Sequence, residues 1–411
     1  MNSLLQLTLG IVTAIGGFVD IGELVFSVQA GVRFGYSLLW AIFVGTIGII
    51  LFSEQAGRIA AVTKKPIFLL MKERFPHPLP LILLILSTLL NVITCAAEVG
   101  GVTIGIQLLT GLSHLSSLIL TVGMLITVIW VFPFKILEKI FGILGITMIV
   151  FIFAVFARHV DLHQVAAGFI PTLPHYSGAS ILTYLYFAVG IISSCMMPYE
   201  VYFYSSGAVE EKWTTKDLFD NRLTANIGMI LGAFLSGSLL ILGGDIFKSL
   251  QITPQLHGSA AMLSAIPYGK TGLIIALLGI IFTIAGACIE TGLAGAYNIC
   301  QYFGWKWGRH SKPTETPLFS LSWILIYLFA FIVLFFDIEP VSLVEYAVIF
   351  SLFLLPFTYF MILRVSTDNK MMGKHVTKTI GKTLGWIYVT LSIILAVAAV
   401  PLMILTNMGK M

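Results

Sequence analysis

The sequence predicts an all-α integral membrane protein of about eleven transmembrane helices. Composition is the first reason: 58% of the 411 residues are hydrophobic and 10% charged, whereas a soluble domain carries about a quarter charged residues. Length is the second. A helix needs about 20 apolar residues to cross the hydrocarbon core, and such stretches recur along the whole chain. The third is the placement of Lys and Arg, which crowd into every second connection. The net charge of +4 is spread over those connections, so the expected partner is the lipid bilayer and not nucleic acid.

The spans are expected at about 4–35, 38–62, 79–111, 114–133, 137–157, 178–208, 222–243, 271–304, 317–336, 343–365 and 383–406. The first, third, sixth and eighth exceed the required length, as tilted or broken helices do. Residues 64–77 (KKPIFLLMKERFPH) read as a short helix on the membrane surface. No soluble domain fits between the spans, so residues 1–411 are expected to form a single transmembrane domain. No cleavable signal peptide is expected, because the first apolar run has no basic lead and continues past Asp20. Four cysteines (Cys95, Cys195, Cys288, Cys300) fall in apolar segments without CxxC spacing and read as small hydrophobes.

The connections after spans 2, 4, 6, 8 and 10 carry eighteen basic residues; the opposite side carries only Arg33, Arg158, Lys248, Lys270 and Lys410. The positive-inside rule then places the N-terminus in the cytoplasm and the C-terminus outside, in what is expected to be a bacterial inner (plasma) membrane.

Two spans carry an irregularity at mid-membrane depth. Span 1 contains DIGE (Asp20 to Glu23), and span 6 contains SSCMMPYE (Ser193 to Glu200). Pro198 has no amide hydrogen and clashes with the preceding turn, which frees carbonyls near Ser194. Gly22 costs about 1 kcal/mol in a helix interior. Unpaired backbone at that depth must be buried in protein or line a wet cavity. The two sites lie five spans apart, and an odd offset reverses orientation. Spans 1–5 (about 4–157) and 6–10 (about 178–365) are therefore expected to be an inverted repeat, with residues 383–406 as one additional helix. Interrupted helices at matching places in two such halves point to a transporter's substrate site. Charged side chains there cost several kcal/mol unless they face a cavity or a cation. Two neighbouring carboxylates, Asp20 and Glu23, repel each other, and a divalent cation removes that cost.

At these residues the sequence resembles the NRAMP family of divalent metal-ion transporters. The family's first-helix signature, Asp-Pro-Gly-Asn, is matched by DIGE, with QAG (Gln29 to Gly31) and FGYSLLW (Phe34 to Trp40) following. Its sixth-helix Met-Pro-His is matched by MPYEVYFYSS (Met197 to Ser206). AEVGG from Ala97, LPF at Leu355 and MG at Met372 extend the resemblance over nearly the whole chain. It implies a LeuT-like fold with discontinuous helices 1 and 6. It also implies metal ligation by the Asp20 carboxylate, the Met197 thioether and the Ser194 carbonyl. The departures make this a divergent relative. Asn of the signature is Glu23, which becomes a candidate ligand; Pro is Ile21; the His is Tyr199; a third-helix Asp is Cys95, while its neighbouring Glu survives as Glu98; a tenth-helix Gln is Val348. Span 9 contains no Lys or Arg, where the family's proton route often has arginines.

The expected activity is secondary transport of Mn²⁺ or Fe²⁺ by alternating access, in symport with protons or with that coupling altered. Carboxylates suit hard ions and a thioether suits softer ones. The metal is substrate, and no cofactor or obligate protein partner is expected. Glu98, Glu200 and Tyr199 are the expected proton or pathway residues, Glu290 reads as pathway or polar glue, Met196 as packing, and Glu54 and Glu345 as solvated span-end acids. The alternatives are a magnesium transporter of the same kinship and an amino-acid or amine transporter of the same architecture, which two acids at the break disfavour for anionic substrates. A receptor would need a sensing domain, and no P-loop, HExxH or nucleophile motif supports an enzyme.

Overall fold

The computed structural model describes residues 20–172, 181–250 and 256–409, and all regular structure among them is helical. From Asp20 the chain enters α1 (Ile21–Phe34), then α2 (Leu39–Thr63), the short α3 (Ile67–Arg74), α4 (Leu79–Thr110) and α5 (His114–Val131). The fifth expected span is uneven: α6 (Phe134–Gly145) passes through a 3-10 turn (Ile146–Ile149) into α7 (Val150–Ala157), and α8 (Leu162–Ala167) follows in the connection. The sixth is split into α9 (Ile181–Ser194) and α10 (Pro198–Glu210). Next, α11 (Leu218–Leu242) runs through a π-helical turn (Gly243–Phe247) into α12 (Lys248–Leu250). The remainder is α13 (Leu256–Phe303), α14 (Pro317–Phe335), α15 (Pro340–Ser366), α16 (Asn369–Met372) and α17 (Thr379–Leu405).

Among the described residues ten helices are long and apolar enough to cross a membrane, at the places expected for spans 2 to 11. The start of span 1, residues 4–19, lies outside the described residues. The eighth helix is longer than expected because it is two helices. Pro267 lacks a donor, and Gly269 takes φ 59°, a conformation that favours glycine. The chain therefore turns sharply there, and the helix preceding the turn escaped the hydropathy reading.

Two other expectations need correction. α3 does not simply rest on the membrane surface. Ile67, Phe68, Leu70 and Met71 are buried, Phe68 meets Tyr202 edge-on, and the Ile67 N–H donates to Ser205 Oγ at 3.2 Å. Its apolar side was legible, but the surface that covers it is protein. Glu345, read as solvated, is buried, because α15 begins at Pro340, earlier than its hydrophobic run. Glu54 is half-buried and pairs with Arg58 at 3.1 Å.

α4 packs most broadly against α13, and α1 sits against α9, α11 and the π-helical turn. The α1–α9 pair is antiparallel: Phe26 meets Phe187, with centroids 6.0 Å apart, while Phe34 meets Tyr184 at 5.3 Å. Since α10 continues the span of α9, α1 and α10 lead away from the centre in opposite directions.

Candidate metal centre

Asp20 is extended (φ −91°, ψ −171°) and caps α1. Its Oδ1 accepts from the Gly22 N–H at 2.5 Å and from the Glu23 N–H at 3.2 Å. Glu23 reaches back, its Oε2 accepting from the Asp20 N–H at 3.2 Å. This reciprocal capping box explains why Ile21 suffices where the family signature has proline: the acids themselves fix the helix start. The second break lies opposite. α9 ends at Ser194, and the residue that would donate to the Ser194 carbonyl in a continuous helix is Pro198, which has no N–H. Met197, in extended conformation, caps α10 without a side-chain bond.

The start of α1 touches the end of α9. A β-carbon placed on Gly22 would lie 3.2 Å from Ser194 Cβ and 3.4 Å from Val348 Cγ2, so glycine lets α1 approach both α9 and α15. The Tyr199 hydroxyl donates to Asp20 Oδ2 at 3.0 Å. Tyr359 donates to the Met196 carbonyl at 3.1 Å, and Ser193 donates to the Val348 carbonyl at 3.0 Å, which tether the unwound segment to α15. Met196 packs over Gly48, where Tyr388 also approaches, in keeping with a packing role. Asp20, Glu23, Ser194 and Met197 are each about 1% exposed.

Not every carboxylate here has a partner. Glu23 Oε1, Glu98 Oε2 and both oxygens of Glu200 find none among the described residues, though all are buried. Glu98 Oε1 accepts from the Thr291 hydroxyl on α13 at 3.1 Å, and Cys95, at the site of the family's acid, lies sulfur to sulfur 3.7 Å from Cys288. Asp20 is near enough for its charge to act on Glu23, Glu98 and Glu200, and Glu200 acts on Glu23. Among the described residues no three His, Cys, Asp or Glu side chains are grouped to hold a metal by themselves. A cation at the breaks must therefore add other donors to Asp20 and Glu23. At the second break the chain offers the Met197 thioether and the Ser194 carbonyl, and a thioether with carboxylates is a donor set suited to a transition ion. The carbonyl end of α9 also presents partial negative charge to the centre.

The far end of α10 is different. Arg309, from the α13–α14 connection, sits with Nη2 2.6 Å from Glu211 Oε1 and Nε 3.9 Å from Glu210 Oε2. Its guanidinium lies 4.0 Å from the Phe134 ring centroid and 5.0 Å from that of Phe203. Tyr297 donates to Glu210 Oε2, and Trp213 donates to Glu211 Oε2 at 2.9 Å. Burial pushes the Glu211 carboxyl up, but hydrogen bonds from His310, Trp213 and Arg309, with the Arg309 charge, hold it down at about 2. Sequence reasoning missed this cluster, because Glu211 and Arg309 are 98 residues apart and neither sits in a motif. The Tyr199–Asp20 bond was equally invisible: the tyrosine stood out only as the replacement for a histidine.

The family model for natural resistance-associated macrophage protein-like (Nramp) proteins matches residues 10–402. The divalent metal cation transporter MntH of Deinococcus radiodurans is 27% identical over 92% of this chain and 85% of its own length. The MntH of Staphylococcus saprophyticus is 25% identical over 97% and 91%. In structure, the manganese transporter of Eremococcus coleocola superposes with a TM-score of 0.76 at 18% identity, covering 100% of this chain and 96% of that one. Mhp1, a nucleobase-cation-symport-1 family transporter in a closed conformation, superposes with a TM-score of 0.61 at 11% identity, over 97% and 90%. These last two share the fold, which is the LeuT-like arrangement. With the family model spanning all but the chain's ends, this membrane protein belongs to the Nramp family.

Proposed function

We propose that this protein is a secondary transporter of divalent metal ions of the Mn²⁺/Fe²⁺ class, and that the ion binds between the two helix breaks. Asp20 and Glu23 supply carboxylates, Met197 its thioether and Ser194 its carbonyl. The observation that carries the reading is the meeting of the breaks at Gly22 and Ser194 with buried carboxylate oxygens left over. The names of the relatives, divalent metal cation transporter and manganese transporter, support the same substrate class. Residues 1–411 act as one domain, with repeats at about 4–157 and 178–365 and an added helix at 383–406. The N-terminus is cytoplasmic in a bacterial plasma membrane.

The chain's own residues account for binding in three steps. The capping box holds Asp20 and Glu23 at the start of α1. Tyr199 orients Asp20 by bonding Oδ2. Val348, Ile21 and Phe26, all buried, keep water from one side of the site, which strengthens each charge interaction. Alternating access then moves α1 and α10, one in each half of the membrane, against the tethered centre. Ligating carboxylates must be deprotonated, so a proton shared between them in the metal-free state leaves on binding. Glu23 and Glu98 are the carriers in this scheme. Glu23→Gln removes that charge and keeps an amide oxygen.

The test is uptake in proteoliposomes with Mn²⁺, Fe²⁺, Mg²⁺, Ca²⁺ and amino acids, with calorimetry on wild type and Glu23→Gln across neutral pH. Saturable Mn²⁺ uptake is expected, with proton release that shrinks and a pH slope that flattens in Glu23→Gln. Uptake of Mg²⁺ without Mn²⁺ would move the magnesium alternative to the front, and uptake of amino acids alone would refute the metal reading. An unchanged proton count in Glu23→Gln would transfer the carrier role to Glu98.

A further inference from the structure

The helices α1 and α10 start in the same register. In α1 the cap is Asp20 and the third helical residue is Glu23; in α10 the cap is Met197 and the third is Glu200. Each cap is a candidate ligand, and each glutamate sits in a first turn where the helix dipole favours negative charge. The two half-helices run in opposite directions, so Glu23 and Glu200 lie on opposite sides of the centre along the membrane normal. They differ in one respect. Glu23 spends Oε2 on the Asp20 N–H, whereas neither oxygen of Glu200 has a partner among the described residues, at 5% exposure.

We propose that Glu200 is a second divalent-cation position, the mirror of Glu23, which receives the ion from the central site on the α10 side. The inference rests on reading the breaks as a divalent-cation site. A buried carboxylate with two unpaired oxygens costs several kcal/mol inside a membrane, and a passing cation offsets that cost. Glu200 does not complete a three-acid cluster with Asp20 and Glu23, so it takes the ion after the centre and not together with it. Glu200 is near enough to Asp20 and Glu290 for their charges to act on it. Further along α10, on a different face from Glu200, Ser206 accepts from Gln301 Nε2 of α13 at 2.9 Å.

The test is Mn²⁺ transport by Glu200→Gln in oriented proteoliposomes, with the ion supplied to one face at a time and no other gradient. For Mn²⁺ supplied to the α10 face, KM is expected to rise about tenfold with Vmax kept. For Mn²⁺ supplied to the opposite face, KM should stay within about twofold and Vmax fall about tenfold, because the ratio Vmax/KM must be equal in both directions without a driving force. Glu200→Asp keeps the charge one methylene back; it should show the same asymmetry at a smaller amplitude, and it serves if the glutamine variant fails to fold. Equal KM changes on both faces would make Glu200 part of the central site and overturn the second position. No change on either face would overturn its role as a ligand. Absence of Mn²⁺ transport in the wild type would instead refute the reading on which the inference rests.

Discussion

The two ends of α10 use the same residue type to opposite effect. At the start, Glu200 is buried with no partner for either oxygen among the described residues. At the finish, Glu210 and Glu211 are ringed by Arg309, Tyr297, Trp213 and His310. The helix dipole sharpens the contrast, since it favours an acid at the start and opposes one at the finish. The finishing acids therefore require a cation of the protein's own, and Arg309, laid on Phe134 and Phe203, provides it. The starting acid has only the dipole, with no partner for either oxygen among the described residues.

The largest effect should come from Asp20. Asp20→Ala removes a ligand and the cap of α1; metal transport should vanish, with a stability loss of about 1 kcal/mol from the missing cap. A well-folded Asp20→Ala protein that still binds Mn²⁺ in a calorimeter would break the comparison at its central member. Arg309→Ala should do the reverse. Two acids would be left beside a helix C-terminus, and thermal unfolding should report a loss of about 2–3 kcal/mol, while Mn²⁺ affinity of the folded fraction stays within about twofold. A large affinity loss there would mean that the far end of α10 is coupled to the centre.

Met197→Ala sharpens the chemistry. Mn²⁺ binding should weaken about tenfold and Mg²⁺ binding by less than about twofold, because the lost donor is soft. Equal losses would put Met197 in the packing alone. The smallest effect is expected at Glu211, whose carboxyl is held at about 2 against an ordinary 4.5. A lowered acid stabilises the fold above its unfolded value and loses that contribution as pH falls toward the folded one. The contribution of Glu211 to wild-type stability should thus be present in full and independent of pH near neutrality, and decline only between about 4.5 and 2. Glu211→Gln should cost about 1 kcal/mol at neutral pH and lose that part of the acid decline. An unchanged acid profile would show that the cluster is not held by charge.

Much of this was legible in the sequence, for physical reasons. Hydropathy marks a span because the bilayer forbids exposed backbone, so spans 2 to 11 fell where expected. Pro198 marks the second break, since a missing N–H cannot be concealed inside a helix. The start of α1 coincides with the costly acids Asp20 and Glu23. What escaped depended on partners distant along the chain. Arg309 finds Glu211 only through the fold. The burial of Glu345 and the protein cover over α3 follow from neighbours that composition does not name. Gly269 was the local exception: with Pro267 it signals a turn, yet the surrounding apolar run masks it.

That the acids at the starts of α1 and α10 hold a divalent ion can be tested by anomalous diffraction from crystals soaked in Mn²⁺. A peak is expected between the starts of α1 and α10, within coordination distance of the Asp20 and Glu23 carboxylates and the Met197 sulfur. A peak confined to other residues, with the breaks left vacant in Mn²⁺-saturated protein, would contradict it.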